Sequence, residues 1–519
     1  MSGKIKFYGA KNAELFTKEL DHSLKGAIEH LMDMDPASPS YGFAQASFDG
    51  RPWTDTMWTR DAGVMLRELS CYGMMDEARA LANSLINLVQ ENEKGFFTFP
   101  ERFERNKPDF GHELDGTASI VIGMVFLLRR LDAQDETKKR VEEFLWGEKS
   151  PLKYAQSVLS ESPLLSGDGE FGGGCGIQGR YVNVVQNALV RAMLIASAQY
   201  ARETGRDASV LEETAQRIRE GIEKYLVNEN GAWIWCVSPD TMQPDPAIIN
   251  HEINKGFGGL NDVLALTSEI EGVLAKDDKM VQHGRAMLDE LYSFPRRKQL
   301  FDSEGLWIQF DEYQKGSLTS FSYGQCYAVQ AMAMADRIEW FSRGLNYLAE
   351  AAFYNNTPVV RKDPYWFFER VFAGDRIAQI DTWEGCGALN LVNMAEPLKV
   401  ARLAAGIDCT SKDAIVIAPR LPINWSGVAV ENWVLPNKDS LVPVSMRYEK
   451  VAPGACTCSA RMTAKAGEEG YALYWDCAKK ADVVRFGPFA SKDIEVTGGK
   501  ITSVYQSEDG FWFAETEME

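Results

Sequence analysis

Between residues 17 and 405 the apolar residues recur at helical spacing, and the links between helical stretches alternate between short and long. The spacing predicts helices over residues 17–33, 60–72, 76–90, 113–131, 136–146, 184–204, 208–227, 257–270, 277–292, 321–336, 339–353 and 384–405. Stretches 184–200 and 323–335 are apolar or small nearly all round, as helices buried on every side must be. By contrast, 208–227 and 339–353 carry one apolar stripe, the pattern of helices that face solvent on one side. Short turns lead from each buried helix to an amphipathic one, and long loops rich in Gly, Pro and Trp lead back. Six helical hairpins in that order make a mainly α fold, an (α/α)6 barrel, with its long loops gathered at the rim where the inner helices begin. An open α-solenoid is the competing arrangement, but no repeat motif accompanies the alternation.

From about residue 412 the texture changes to short β-branched runs such as GVAVENWVLP and SLVPVSMRYEK, bounded by Gly, Pro, Asn and Lys. Residues 1–411 are therefore expected to form the helical domain and 412–519 a C-terminal antiparallel β-sandwich.

A formal charge of −19 argues against nucleic acid or an anionic membrane as the main partner. No run approaches the roughly 20 apolar residues of a membrane span. The opening MSGKIKFYGAKNAELF has no apolar core of a secretory signal, the pattern expected of a cytoplasmic protein. Nine Cys without any C-x-x-C, alongside five His, make a zinc site an unfavoured reading and point to free thiols. No metal or cofactor is expected. The outer helices show no interface pattern, so the sequence leaves oligomeric state open.

Chemistry-bearing residues concentrate in the long loops. The first ends in Trp58, Arg60 and Asp61, immediately before an apolar helical run. The second holds Glu101, Glu104, His112, Glu113 and Asp115. The third sets Asp168 and Glu170 among Gly167, Gly169 and Gly172–Gly174. The fourth contains Trp233, Trp235, His251, Glu252 and Lys255, and the fifth Trp307, Asp311 and Glu312. The sixth gives Tyr365, Trp366, Glu369, Asp381, Trp383 and Glu384. Indole faces cover the C–H surface of a sugar ring while charged groups take its hydroxyls. Paired carboxylates serve glycosidic cleavage, one as acid and one as base. For any one carboxylate, helix capping is the competing role; Thr59 or Asp61 caps the helix that starts at 60 in that case.

The stretch Thr56-Met57-Trp58-Thr59-Arg60-Asp61-Ala62-Gly63 resembles the Thr-Trp-Thr-Arg-Asp-Ser-Gly segment of the glucoamylase family. More broadly the chain resembles the six-hairpin glycosidases, trehalases and α-L-rhamnosidases among them. The resemblance implies that Arg60 and Asp61 hold the terminal sugar, with Trp58 lining the subsite. It implies the general acid in the third loop, at Glu170 or its competitor Asp168, and the general base at Glu384 in the sixth. The segment Pro419-Arg420-Leu421-Pro422-Ile423-Asn424-Trp425-Ser426-Gly427 is similar to the sandwich that follows the barrel in rhamnosidases and disaccharide phosphorylases.

These readings lead to an inverting, exo-acting glycoside hydrolase. Glu170 and Glu384 are its catalytic pair. Trp58, Arg60, Asp61, Asp115, Asp168, Trp233, His251, Trp307, Trp366, Asp381 and Trp383 are its candidate sugar contacts. The expected substrate is a short oligosaccharide or glycoside ending in a glucoside- or rhamnoside-like sugar. Glycines around Glu170 let backbone approach a ligand, and Phe171 lowers the local dielectric, which raises an acid's pKa. Glu384 at a helix start stays ionised near positive backbone dipoles. An inverting disaccharide phosphorylase and a non-catalytic sugar-binding barrel are the alternatives.

Overall fold

The computed structural model describes all residues except 1, 48–53, 106–113, 161, 168–180, 245–259, 268–269, 271–278, 308–318, 355–366, 368–369, 373–390, 411–412, 438–439, 453–454 and 456–457. The chain is helical up to Ala405 apart from short strands, and a separate, largely antiparallel β region follows.

Among the described residues six helices lie inside: α2 (Thr59–Cys71), α4 (Leu114–Leu128), α7 (Val184–Glu203), α9 (Leu260–Thr267), α12 (Ser322–Met334) and α14 (Val392–Ala405). Each packs on the next, and α14 packs back on α2. An outer set covers them: α3 (Met75–Leu88) on α2, α5 (Glu136–Trp146) on α4, α8 (Ser209–Tyr225) on α7, α10 (Lys279–Ser293) on α9 and α13 (Ile338–Tyr354) on α12. The outer partner of α14 comes from the start of the chain, α1 (Lys11–His30), which lies against both α13 and α14. The sequence texture follows this division. Every residue of α2 is buried, whereas α8 buries only the stripe Leu211, Thr214, Ala215, Ile218, Gly221 and Ile222. Polar bonds tie the inner helices as well: Gln330 of α12 donates to Glu396 of α14 at 2.7 Å, and Lys399 of α14 donates to the Ala265 carbonyl of α9.

Two further helices, α6 (Pro151–Leu159) and α11 (Pro295–Glu304), sit in stretches that the periodicity leaves as connections. Both begin on proline, whose fixed φ suits the first helical position, and Ser150 caps α6 through Lys153 N at 3.2 Å.

Three two-residue to three-residue strand pairs organise the loops. β2 (Thr56–Trp58), just before α2, pairs with β5 (Arg102–Glu104) in the connection to α4. In the same way β6 (Val182–Asn183), before α7, pairs with β7 (Cys236–Val237) on the way to α9. β8 (Thr319–Phe321), before α12, pairs with β9 (Arg370–Phe372) on the way to α14. The loops therefore meet in twos at the end of the ring where the inner helices start. A fourth short pair, β3 (Gln90–Glu91) with β4 (Phe97–Thr98), lies next to Lys149.

Beyond α14 the strands are β10 (Val416–Ile417), β11 (Gly427–Asn437), β12 (Ser440–Lys450), β13 (Met462–Ala466), β14 (Glu469–Asp476), β15 (Val483–Phe489), β16 (Glu495–Thr497), β17 (Gly499–Gln506) and β18 (Trp512–Met518). Together with β1 (Lys4–Tyr8) from the start of the chain, they form a six-stranded sheet ordered β1-β11-β12-β14-β13-β16 and a four-stranded sheet ordered β10-β15-β18-β17. The sheets meet through aromatic side chains: Tyr448 against Phe486 at 5.8 Å and Tyr471 against Phe489 at 5.1 Å. The first sheet begins with β1 (Lys4–Tyr8), which pairs antiparallel with β11 in the register Ile5↔Val430. The N-terminal strand thus belongs to the β region. Tyr72, which follows α2, stacks edge-on against Trp433 at 4.8 Å and donates to the Leu398 carbonyl at 2.9 Å, joining helices to sheet.

Candidate active site

The start of α2 is built by the β2–β5 ribbon. Trp58 pairs in register with Arg102, and the Arg102 guanidinium stacks 5.1 Å from the centre of the indole. Trp58, at the N-cap, makes no side-chain cap to the helix. The Thr59 hydroxyl instead donates to the carbonyls of Pro100 and Glu101, at 2.6 and 3.0 Å, which fixes the second loop against α2. The capping role the sequence offers for Thr59 is replaced by this clamp.

Glycines set what lies opposite. α2 and α4 cross so closely that a Cβ on Gly63 would sit 2.4 Å from the Ser119 carbonyl carbon. One on Gly123 would lie 2.6 Å from the Gly63 oxygen, and one on Gly116 would lie 2.1 Å from Thr59 Oγ1. That approach brings Asp115, in the first turn of α4, to 3.4 Å from Arg60 Nη1, while Arg60 Nε lies 3.8 Å from Asp61 Oδ1. Arg60 is 8% exposed, Asp61 5% and Asp115 0%. One guanidinium is thus shared by two carboxylates where the ring begins. Asp115 Oδ1 accepts no hydrogen bond from any described residue. Buried carboxylate oxygens of this kind are costly unless something donates to them. Clustered, buried donors and acceptors are what hydroxyl-rich ligands require.

Polar residues at the other inner-helix starts do a different job. Asn187 of α7 holds Leu165 by both its N–H and its carbonyl, at 2.8 and 2.9 Å. Gln325 of α12 accepts from Trp307 N at 2.9 Å and donates to the carbonyls of Gly305 and Gly344. Thr117 of α4 accepts from Phe99 N, and Asn393 of α14 accepts from Tyr323 N, both at 2.9 Å. These side chains anchor backbone, in the loops at Leu165, Phe99, Gly305 and Trp307 and in neighbouring helices at Tyr323 and Gly344. Arg60, Asp61 and Asp115 stand apart because they face one another.

The other candidates divide by position. Trp58 is half-buried beside Arg102, a residue that no motif marks because a three-residue strand has no readable period. Trp233 and Trp307 are each 1% exposed. Trp233 packs beside His283, with ring centres 6.4 Å apart, and Trp307 packs edge-on against Phe301 at 5.6 Å under the Arg297 guanidinium. Asp168, Glu170, His251, Trp366, Asp381, Trp383 and Glu384 lie outside the described residues. The chain flanking Asp168 and Glu170 is placed: Gly167 bridges antiparallel to Tyr181, and a Cβ on Gly167 would meet Gln186 Oε1 of α7 at 2.8 Å. The sixth loop re-enters at Leu391, whose N–H donates to the Ala46 carbonyl of the first loop at 3.3 Å. Among the described residues no group of three or more His, Cys, Asp or Glu is placed to hold a metal ion, and no helix is long and apolar enough to cross a membrane.

No family model matches the sequence, and no curated protein matches it. Solved structures do match its fold. A glycoside hydrolase family 15 glucoamylase from Hypocrea jecorina superposes with a TM-score of 0.54 at 14% identity, over 76% of this chain and 73% of that one. An α-L-rhamnosidase from Streptomyces avermitilis, solved with L-rhamnose, superposes with a TM-score of 0.51 at 11% identity. That match covers 100% of this chain and 41% of the rhamnosidase, so this chain spans less than half of that protein. The fold is one that glycoside hydrolases use.

Proposed function

We propose that the six inner and six outer helices form an (α/α)6 barrel and that the protein is an inverting, exo-acting glycoside hydrolase. The observation that carries this reading is the buried Arg60–Asp61–Asp115 cluster at the loop-bearing end of the ring. In it, Arg60, Asp61 and Asp115 hold the hydroxyls of a terminal glucoside- or rhamnoside-like ring, and Trp58 flanks them. Glu170 protonates the glycosidic oxygen as the bond to the anomeric carbon breaks. Glu384 takes a proton from a water that attacks that carbon from the opposite face, which inverts the anomer. Inversion requires roughly 6.5–9.5 Å between the two carboxyl groups, room for the water.

Glu170→Gln and Glu384→Gln, each assayed on a panel of nitrophenyl glycosides, test the pair. Loss of several orders of magnitude in both variants, with NMR showing the inverted anomer from wild type, is the expected result. Unchanged hydrolysis in both removes the assignment. Turnover only in the presence of phosphate assigns a phosphorylase, and sugar binding without turnover a non-catalytic barrel.

A further inference from the structure

At the opposite end of α2 from Arg60, β1 has β11 along one edge and α1 along the other. In an antiparallel pair, successive residues turn their N–H and C=O alternately toward the partner strand and away from it. Tyr8, whose carbonyl accepts from Ser426 N at 3.0 Å, faces the β11 side, and Lys6 and Lys4 share its phase. Gly3, Ile5 and Phe7 therefore face α1. Two of these three are bonded there. Gly3 N donates to the Tyr72 carbonyl at 2.8 Å; Phe7 N donates to Thr17 Oγ1 at 2.8 Å, which in turn donates to the Phe7 carbonyl at 3.3 Å. Ile5 is 4% exposed, and on that edge its N–H and C=O meet no hydrogen-bond partner among the described residues. Past Thr17 the helix and the edge part, and a cavity of about 340 Å³ opens between them. Leu20, Leu24 and Ile28, one stripe of α1, line it together with Tyr72 and Leu398. Lys4, Asp21 and Lys25 stand exposed at its rim.

We propose that this gap is a docking site for a short extended peptide, one residue of which pairs with Ile5 as an added strand. Ile5 offers one donor and one acceptor side by side, the complement of a single peptide residue, and main-chain groups in so buried a place are costly unless bonded. An aliphatic ligand would cover the walls and leave both groups unbonded. The volume is near the lower end of the roughly 300–1,000 Å³ of ligand pockets, so the occupant is a few residues of chain. The bonds at Gly3 and Phe7 close the edge on either side, which fixes the register at Ile5. The residue opposite Ile5 shares its inward face, so its side chain is apolar and meets Leu20, Tyr72 and Leu398. Its two neighbours turn toward the rim, where two lysines against one aspartate favour acidic side chains.

Acetyl-Glu-Leu-Glu-amide and the same peptide with N-methyl-leucine are titrated into the folded full-length protein and followed by saturation-transfer NMR of the leucine methyls. The first is expected to bind saturably in the millimolar range or tighter. The second, lacking the central N–H, is expected to bind about 10-fold more weakly. Ile5→Pro removes the outward N–H without touching the β11 ladder and is expected to weaken the first peptide to a similar degree. Leu24→Trp fills the cavity and is expected to abolish binding. Equal binding of the two peptides overturns the proposal, as does no saturable signal, or wild-type affinity in a folded Leu24→Trp. Binding of decanoate where the peptide does not bind overturns it too, since an aliphatic chain needs no strand pairing. If the variants do not fold by circular dichroism, the comparison of the two peptides on wild type decides alone.

Discussion

Glu68 of α2 and Arg402 of α14 meet in a two-bond ion pair, 3.0 Å from Nε to Oε2 and 2.7 Å from Nη2 to Oε1, with no exposed surface on either side chain. It joins the first and last inner helices, the seam at which the ring closes. Arg67 Nε also lies 3.0 Å from Glu68 Oε1, so one carboxylate serves two guanidiniums. Removing the carboxylate costs more than removing one of its donors, because two buried cations lose a common acceptor. Glu68→Gln is expected to destabilise by about 3–5 kcal/mol, and Arg402→Gln by less. Denaturant unfolding followed by tryptophan fluorescence orders the two variants.

Arg60 differs from that pair in lying at the loop-bearing end of the helices, where the proposed site would take a sugar's hydroxyls. Arg60→Ala is expected to lower kcat/KM about 10- to 100-fold on whichever glycoside the wild type cleaves, the loss of one charge-assisted hydrogen-bonding group. Arg60→Lys keeps the charge without the planar fork and recovers only part of that loss. Equal kcat/KM in wild type and Arg60→Ala, with both folded by circular dichroism, removes Arg60 from the site.

The glycine crossing separates stability from positioning. Gly63→Ala drives a methyl into the α4 backbone at Ser119 and Ile120, which cannot swing aside, and is expected to cost about 1–3 kcal/mol. Gly116→Ala meets the Thr59 hydroxyl, which turns away and gives up its bonds to Pro100 and Glu101. Its thermal midpoint falls less than that of Gly63→Ala, and its turnover falls more. Thermal melts and initial rates on the two variants read the difference.

At the joint between helices and sheets, Asp336 accepts from Arg485 at 2.6 Å, with Arg285 4.0 Å away. Burial alone raises the carboxyl, but Arg485, Arg420 and Arg285 outweigh it and hold Asp336 below its ordinary value of 3.8. A depressed folded pKa gives stability that is fully present above about pH 4 and lost as pH falls through the folded value. Acid titration of the wild type should therefore show a loss of stability below pH 4 that Asp336→Asn lacks. The variant is the less stable of the two at neutral pH. Parallel acid titrations that fall together throughout would assign the acid limb to other groups.

Inner and outer helices were legible because burial on all sides and burial on one side leave different patterns, and α4 and α8 carry them plainly. β1 was not legible: KIKFY is five residues long and its partner lies at the other end of the sequence. The helices at 151–159 and 295–304 did carry a signal, a proline at the first helical position, but too few turns for a period. For the candidate site, Trp-Thr-Arg-Asp named two of the three clustered charges, and their closeness to Asp115 depends on glycines that look like ordinary helix interruptions until the crossing is seen. Loop tryptophans read alike in sequence whether they pack inward, as Trp233 and Trp307 do, or stand half-open, as Trp58 does.

The pairing of β1 with β11 also sets an order in time. Lys6 bonds Glu431, 425 residues further along the chain. At a synthesis rate of roughly 5–20 residues per second, β1 waits about 20–85 s before its partner is made. During that interval an edge of alternating lysine and apolar residues has no strand beside it. Its lysines, which face outward in the finished sheet, are suited to keep such an edge from pairing with neighbouring chains on the same message.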